Sequence, residues 1–137
     1  MTLEHNIRRA YIDTLLDGGF TRLADGITNP TEGYIVGGVT EPTTMELHAV
    51  ATNVAYVEVV KQYADFKNLW HKYEMLLHQH TSGKYGGGMG MGTWIYEDKI
   101  YFDLVQHIYN LDVATNMAKE RGEIAIYDCK NQKDLLI

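Results

Sequence analysis

A single cysteine, two prolines and the lack of any long apolar run set the first limits on this chain. Cys129 has no second thiol with which to form an internal disulfide, which fits a reducing compartment, and no cysteine cluster offers a structural zinc site. No apolar stretch approaches the roughly 18–20 residues of a membrane span, and the opening "MTLEHNIRRAY" lacks the apolar centre of a signal peptide. A cytoplasmic protein is expected. Basic residues are also few: 12 lysines and arginines stand against 18 aspartates and glutamates, a net charge of −6. They are scattered and form no stripe that would neutralise phosphates, so direct nucleic-acid binding is not expected. An acidic surface suits a basic partner, or solubility alone.

What is present is an ordinary globular composition. With 137 residues, 45% of them hydrophobic and no low-complexity tract, the chain is expected to form one domain over 1–137. A chain of this length buries roughly two-thirds of its unfolded surface, so its core needs no staple.

Leu3, Ile7, Tyr11 and Leu15 repeat at i, i+4 ahead of Gly18 and Gly19, the pattern of an amphipathic helix and its stop. Two short strands follow over 20–23 and 34–39, separated by the turn dipeptides Asp25-Gly26 and Asn29-Pro30. After Pro42 two divisions stay open. A capping box at Thr43 and Glu46 would start one long helix reaching His80. Alternatively "MELHAVA" forms a strand and the helix starts near Asn53, which is the division favoured here. Either way Tyr63, Phe66, Trp70, Tyr73 and Leu77 line one helix face, as a core stripe or, at lower weight, a dimer seam.

"TWIYEDKIYFDLVQHI" reads as a β-hairpin turning at Glu97-Asp98-Lys99. A short helix follows, capped by Asn110 or Asp112 and stopped by Gly122, and then a strand "EIAIYD". The expected fold is α+β: a single mainly antiparallel sheet with a C-terminal β-hairpin-α-β unit and one long amphipathic helix packed on it. From the favoured division the order is β-α-β-β-α-β, a split-βαβ arrangement.

The glycine run "GKYGGGMGMG" invites a test for phosphate binding. Tyr85 stands where a Walker A loop needs Ser or Thr, no G-x-G-x-x-G is present, and the run leaves a helix and enters a strand. A mobile lead-in to the hairpin is expected, with Met89 and Met91 giving it an adaptable apolar surface. Candidate ligand or partner contacts are Lys84, Tyr85, Met89, Met91, Trp94 and Arg121. For a metal, His71, Glu74 and His78 fall at i, i+3 and i+7 on one helix face, a weak signal that a solvated polar face would equally give. There is no G-x-S-x-G elbow, and Cys129 lacks a helix N-terminus to activate it. Asp103 and Asp128 would make a carboxylate pair if the sheet brought them together.

Two blocks, "GGFTRLADGITNPTEGYIVGG" and "GTWIYEDKIYFDLVQHIYNLDVATNMAKERGEIAIYD", resemble a group of small, uncharacterised α+β proteins encoded by bacteriophages and mobile elements. The resemblance is carried by Gly33, Tyr34, Val36, Gly37, Gly38, Gly92, Trp94, Tyr101, Asp103, Ala114, Arg121, Glu123, Ala125, Ile126 and Asp128. It implies a viral accessory protein working in a bacterial host and transfers no catalytic residues. Without catalytic signatures, the expected function is non-enzymatic: binding and blocking a host protein, as a counter-defence inhibitor would, with no cofactor and with a homodimer as the expected assembly. The alternative is a protein that binds or sequesters a nucleotide-like signal. A metal-dependent hydrolase is third.

Overall fold

The computed structural model describes residues 3–47, 56–81 and 88–137. Among them are three helices, α1 (Leu3–Asp17), α2 (Tyr56–Thr81) and α3 (Leu111–Glu120). The strands are β1 (Gly19–Leu23), β2 (Tyr34–Val36), β3 (Thr43–Glu46), β4 (Met89–Tyr96), β5 (Lys99–Ile108), β6 (Ala125–Asp128) and β7 (Lys133–Leu136). The fold is α+β, with one seven-stranded sheet in the order β1-β4-β5-β2-β6-β7 and β3 also on β5.

Every pairing is antiparallel. That departs from a ferredoxin-like split βαβ, because β3 runs antiparallel to β5 and β6 pairs with β2. The hairpin is as expected, with β4 and β5 joined through Glu97 at φ 55°. The division after Pro42 resolves to a strand, Thr43–Glu46, which removes the long helix starting there; Asn53 lies outside the described residues. The "MELHAVA" strand is offset, since β3 ends at Glu46 and residues 48–51 are likewise outside that description. β2 stops at Val36, three residues short of the expected end. β7 is a strand that the sequence reading missed.

Side chains on one face of the sheet meet α1 and α2. Phe20, Met45, Met89, Met91, Ile100, Phe102 and Leu104 pack with Ile7, Ala10, Tyr11, Phe66, Trp70, Tyr73 and Leu77 in one buried cluster. The aromatic stripe of α2 is therefore core, and the expected alternative of a dimer seam falls, because Phe66, Trp70 and Tyr73 are almost fully buried. Burial of large rings is the dominant stabilising contribution here. Arg22 ties β1 to α2, pairing with Glu74 at 3.1 Å and lying 5.5 Å over the Trp70 ring. α3 covers the same face further along, closing Ala114 and Ala118 onto Val36 and Ile126. Its cap is Asn110, whose side chain accepts from the Val113 amide at 3.0 Å. On the opposite face no described helix packs; Ile35, Val105 and Cys129 form a small buried cluster there, and Leu23 and Asp103, which alternate to the same side, are buried as well.

Candidate functional site

β2 and β3 share one edge of β5 but do not meet: β2 pairs with Gln106 to Ile108, and β3 with Lys99 to Phe102. Asp103 is the first residue of β5 beyond β3, facing the connecting segment 37–42. The chain turns out of the sheet at Gly37-Gly38, with Gly38 at φ +78°, and the vacated space holds two carboxyl groups. Asp103 Oδ2 and Glu123 Oε1 each lie 2.7 Å from the point a Gly37 Cβ would occupy, which places them within about 5.4 Å of each other. Any side chain at position 37 would collide with both. Beside Gly38 the corresponding space is filled by Glu123 and Arg121, again within 3.1–3.3 Å.

The polar contacts in this crevice are few. The Gly38 amide donates to Asp103 Oδ2 at 2.8 Å, while Asp103 Oδ1 is buried with no hydrogen-bond partner among the described residues. Arg121 spends its guanidinium on the Gly37 carbonyl at 3.2 Å and on Gln106 Oε1 at 2.6 Å. The Asp103 side chain is 1% exposed. Burial pushes its carboxyl up to about 7, against the Gly38 hydrogen bond that favours the charged form; the Glu123 charge raises it further. Glu123 is itself raised by burial, opposed by Arg121. Gly37, Gly38, Asp103, Arg121 and Glu123 all stood among the residues carrying the phage-protein resemblance, yet sequence reasoning did not assemble them into one site. The signal was the Gly37-Gly38 pair, which marks a close approach of backbone to something bulky.

The Asp103/Asp128 pair is corrected by register. Tyr34 of β2 faces Ile108 on one side and Asp128 on the other. Asp103 therefore lies five residues along β5 from that level, about 17 Å at roughly 3.3–3.4 Å per residue. Asp128 instead builds the β6–β7 turn, accepting from the amides of Lys130 and Asn131 and from the Asn131 side chain, which holds its carboxyl below the usual range.

The other candidates scatter. Met89 and Met91 are not loop residues offering a surface; they lie in β4, 0% and 1% exposed, because alternation along β4 turns them into the core. Gly90 and Gly92 likewise belong to the strand, and a Cβ on Gly90 would meet the Arg22 carbonyl at 2.7 Å. Lys84 and Tyr85 lie outside the described residues, as does the rest of the glycine run before Gly88. Trp94 does reach a surface: half-buried on the helix-free face, it stacks on Tyr101 across the hairpin at 5.4 Å and 8° between planes. Tyr96 meets Tyr101 edge-on at 6.4 Å and is 61% exposed. Arg121 is far from this stack in role, serving the crevice.

Of the metal candidates, Glu74 is engaged by Arg22 and by His71 Nδ1 at 3.3 Å. Among the described residues no group of three histidines, cysteines or carboxylates is placed to hold a metal. Cys129 is buried and its thiol is pushed up to about 11, chiefly by desolvation, which leaves it without thiolate at neutral pH. No helix among the described residues is long and apolar enough to cross a membrane.

Fold and site together define an α+β fold with an open-faced antiparallel sheet, an aromatic stack on that face, and a buried acid, Asp103, beside the half-buried Glu123 at the end of a short central strand. The chain matches no protein-family model, no curated protein and no solved structure.

Proposed function

We propose that the protein acts by binding another protein through the helix-free face of its sheet, and that the partner is a bacterial host protein which this contact blocks. The observation carrying the proposal is the Trp94–Tyr101 stack with the exposed Tyr96 beside it. Tryptophan and tyrosine supply large contact area at small entropic cost and dominate interface hot spots. Their rings here are already ordered by stacking, which lowers the cost of docking. The net charge of −6 favours a partner with a basic surface, such as a nuclease whose substrate groove is positive. The phage-protein resemblance supports the host setting. The test is capture of a partner from bacterial lysate at fixed stoichiometry by the wild type and its loss in Trp94→Ala; equal capture by both would refute the face.

A second reading rests on a different feature. An open cleft of about 620 Å³ is bordered by Leu23, Ile27, Pro30, Met89, His107 and Tyr109, with Gly88 at its rim. His107 is fixed by its Nε2 contact to the Glu32 carbonyl at 2.7 Å and packs on Tyr109 at 4.7 Å. A small planar ligand would find an apolar floor and a ring wall there. Trp94 and Arg121 do not line this cleft, so the ligand contacts expected from the sequence would have to be replaced by His107 and Tyr109. A small mass retained on native protein and lost in His107→Ala would favour this reading over the first.

A further inference from the structure

We infer that the Asp103 carboxyl is a proton-operated catch on the segment 37–42: protonated, it keeps that segment closed over the end of β2; ionised, it drives the segment open to water. The inference stands on the arrangement of the crevice. An acid 1% exposed has one oxygen held by the Gly38 amide and the other without a partner among the described residues. A second carboxyl, Glu123, lies within about 5.4 Å. The charged and titratable groups facing Asp103 are Glu123 and Arg121 from the α3–β6 connection and the Tyr73 hydroxyl from α2. Arg121 is the only cation among these, and its guanidinium is bonded to Gln106 and the Gly37 carbonyl. The Tyr73 hydroxyl is committed to Thr43 Oγ1 at 2.8 Å.

A charge on Asp103 would thus be buried beside a like charge; the Gly38 and Leu104 amides and the Arg121 charge favour the ion, but less strongly than burial disfavours it. Rehydration is the relief, and the geometry says which side yields. β5 is paired with β4 along Lys99–Gln106 and cannot retreat. The segment 37–42 lies between β2 and β3, outside any strand, and begins with two glycines that tolerate large backbone change. The raised carboxyl, at about 7, puts the transition in the neutral range. The sign follows from linkage. The closed form holds a proton that an open, solvated aspartic acid loses near pH 4, so the opening constant rises about tenfold per pH unit from there up to about 7 and is flat above it.

Native-state hydrogen exchange, expressed as protection factors so that intrinsic base catalysis cancels, reads this directly. Protection of the Gly38 amide is expected to fall on the order of 100-fold between pH 5 and pH 8, with amides of the β4–β5 hairpin unchanged. Asp103→Asn, isosteric and uncharged, should give a flat profile. Glu123→Gln, which removes the like charge, should end the fall at a lower pH. A flat wild-type profile would overturn the catch, as would an Asp103→Asn profile identical to the wild type. So would continued protection of Gly38 at pH 8 accompanied by loss of the Arg121–Gln106 hydrogen bond, since the guanidinium would then have neutralised the acid without opening.

Discussion

At the scale of single residues, position 37 shows how one backbone site is fixed by its neighbours. Two carboxyl oxygens stand 2.7 Å from where a Cβ would be, so Gly37→Ala must displace the ends of the Asp103 and Glu123 side chains. A loss of about 1–3 kcal/mol is expected from urea unfolding, the range of an overpacked site. Asp103 makes a prediction of opposite character. Because its folded carboxyl sits near 7 and the unfolded one near 4, the folded protein retains a proton that the unfolded chain has released across that window. Stability therefore falls as pH rises from about 4 to about 7, by roughly 1.4 kcal/mol per pH unit at most, and levels off above. Asp103→Asn should abolish that slope and be more stable than the wild type at pH 8; a variant less stable at pH 8 would contradict the burial of a neutral acid. None of this was legible from the sequence, where Asp103 reads as one more acid on a strand. Its partner depends on register: the sequence offers Asp128, but Tyr34 faces both Ile108 and Asp128, which sets Asp128 far from Asp103 and leaves Glu123 beside it.

At the scale of elements, the sequence was most readable where a pattern persisted. The stripe Tyr63, Phe66, Trp70, Tyr73 and Leu77 repeats with helical period and is core-facing, so α2 and its burial follow from spacing alone. Trp70→Ala is expected to cost about 3–5 kcal/mol, measured by chemical denaturation, since the ring packs on Phe20 and Phe66. The helix α3 was equally plain, from Asn110 to Gly122. Asn110→Ala should cost about 1 kcal/mol through the lost cap on the Val113 amide. The glycine-methionine run reads as a mobile lead-in because of its consecutive glycines, yet from Met89 onward it is strand. Gly90 and Gly92 are instead the small residues of a β-strand, needed because the Arg22 carbonyl and Val105 press on them, while Met89 and Met91 alternate inward. β7 was missed because "KDLL" is short and charged; the turn that sends it back, Asp128 bonded to Asn131, is its only strong local signal.

At the scale of the whole molecule, all three described helices pack on one side of the sheet and leave the other side without a helix among the described residues. The class of fold was legible because the helix and hairpin patterns are long. Strand order was not, since β2 and β3 divide one edge of β5 through the six-residue interval 37–42, which carries no pairing signal of its own. The separation of the two faces makes a clean experiment, because Trp94 is stacked on the helix-free side while the main core is built on the other. Native mass spectrometry of protein drawn from bacterial lysate, comparing wild type with Trp94→Ala, tests the central claim most directly. The wild type is expected to carry a protein partner at fixed stoichiometry, and Trp94→Ala to appear without it while keeping its folded charge-state distribution. A wild type recovered without any protein partner, or a partner held as well by Trp94→Ala, would contradict the claim.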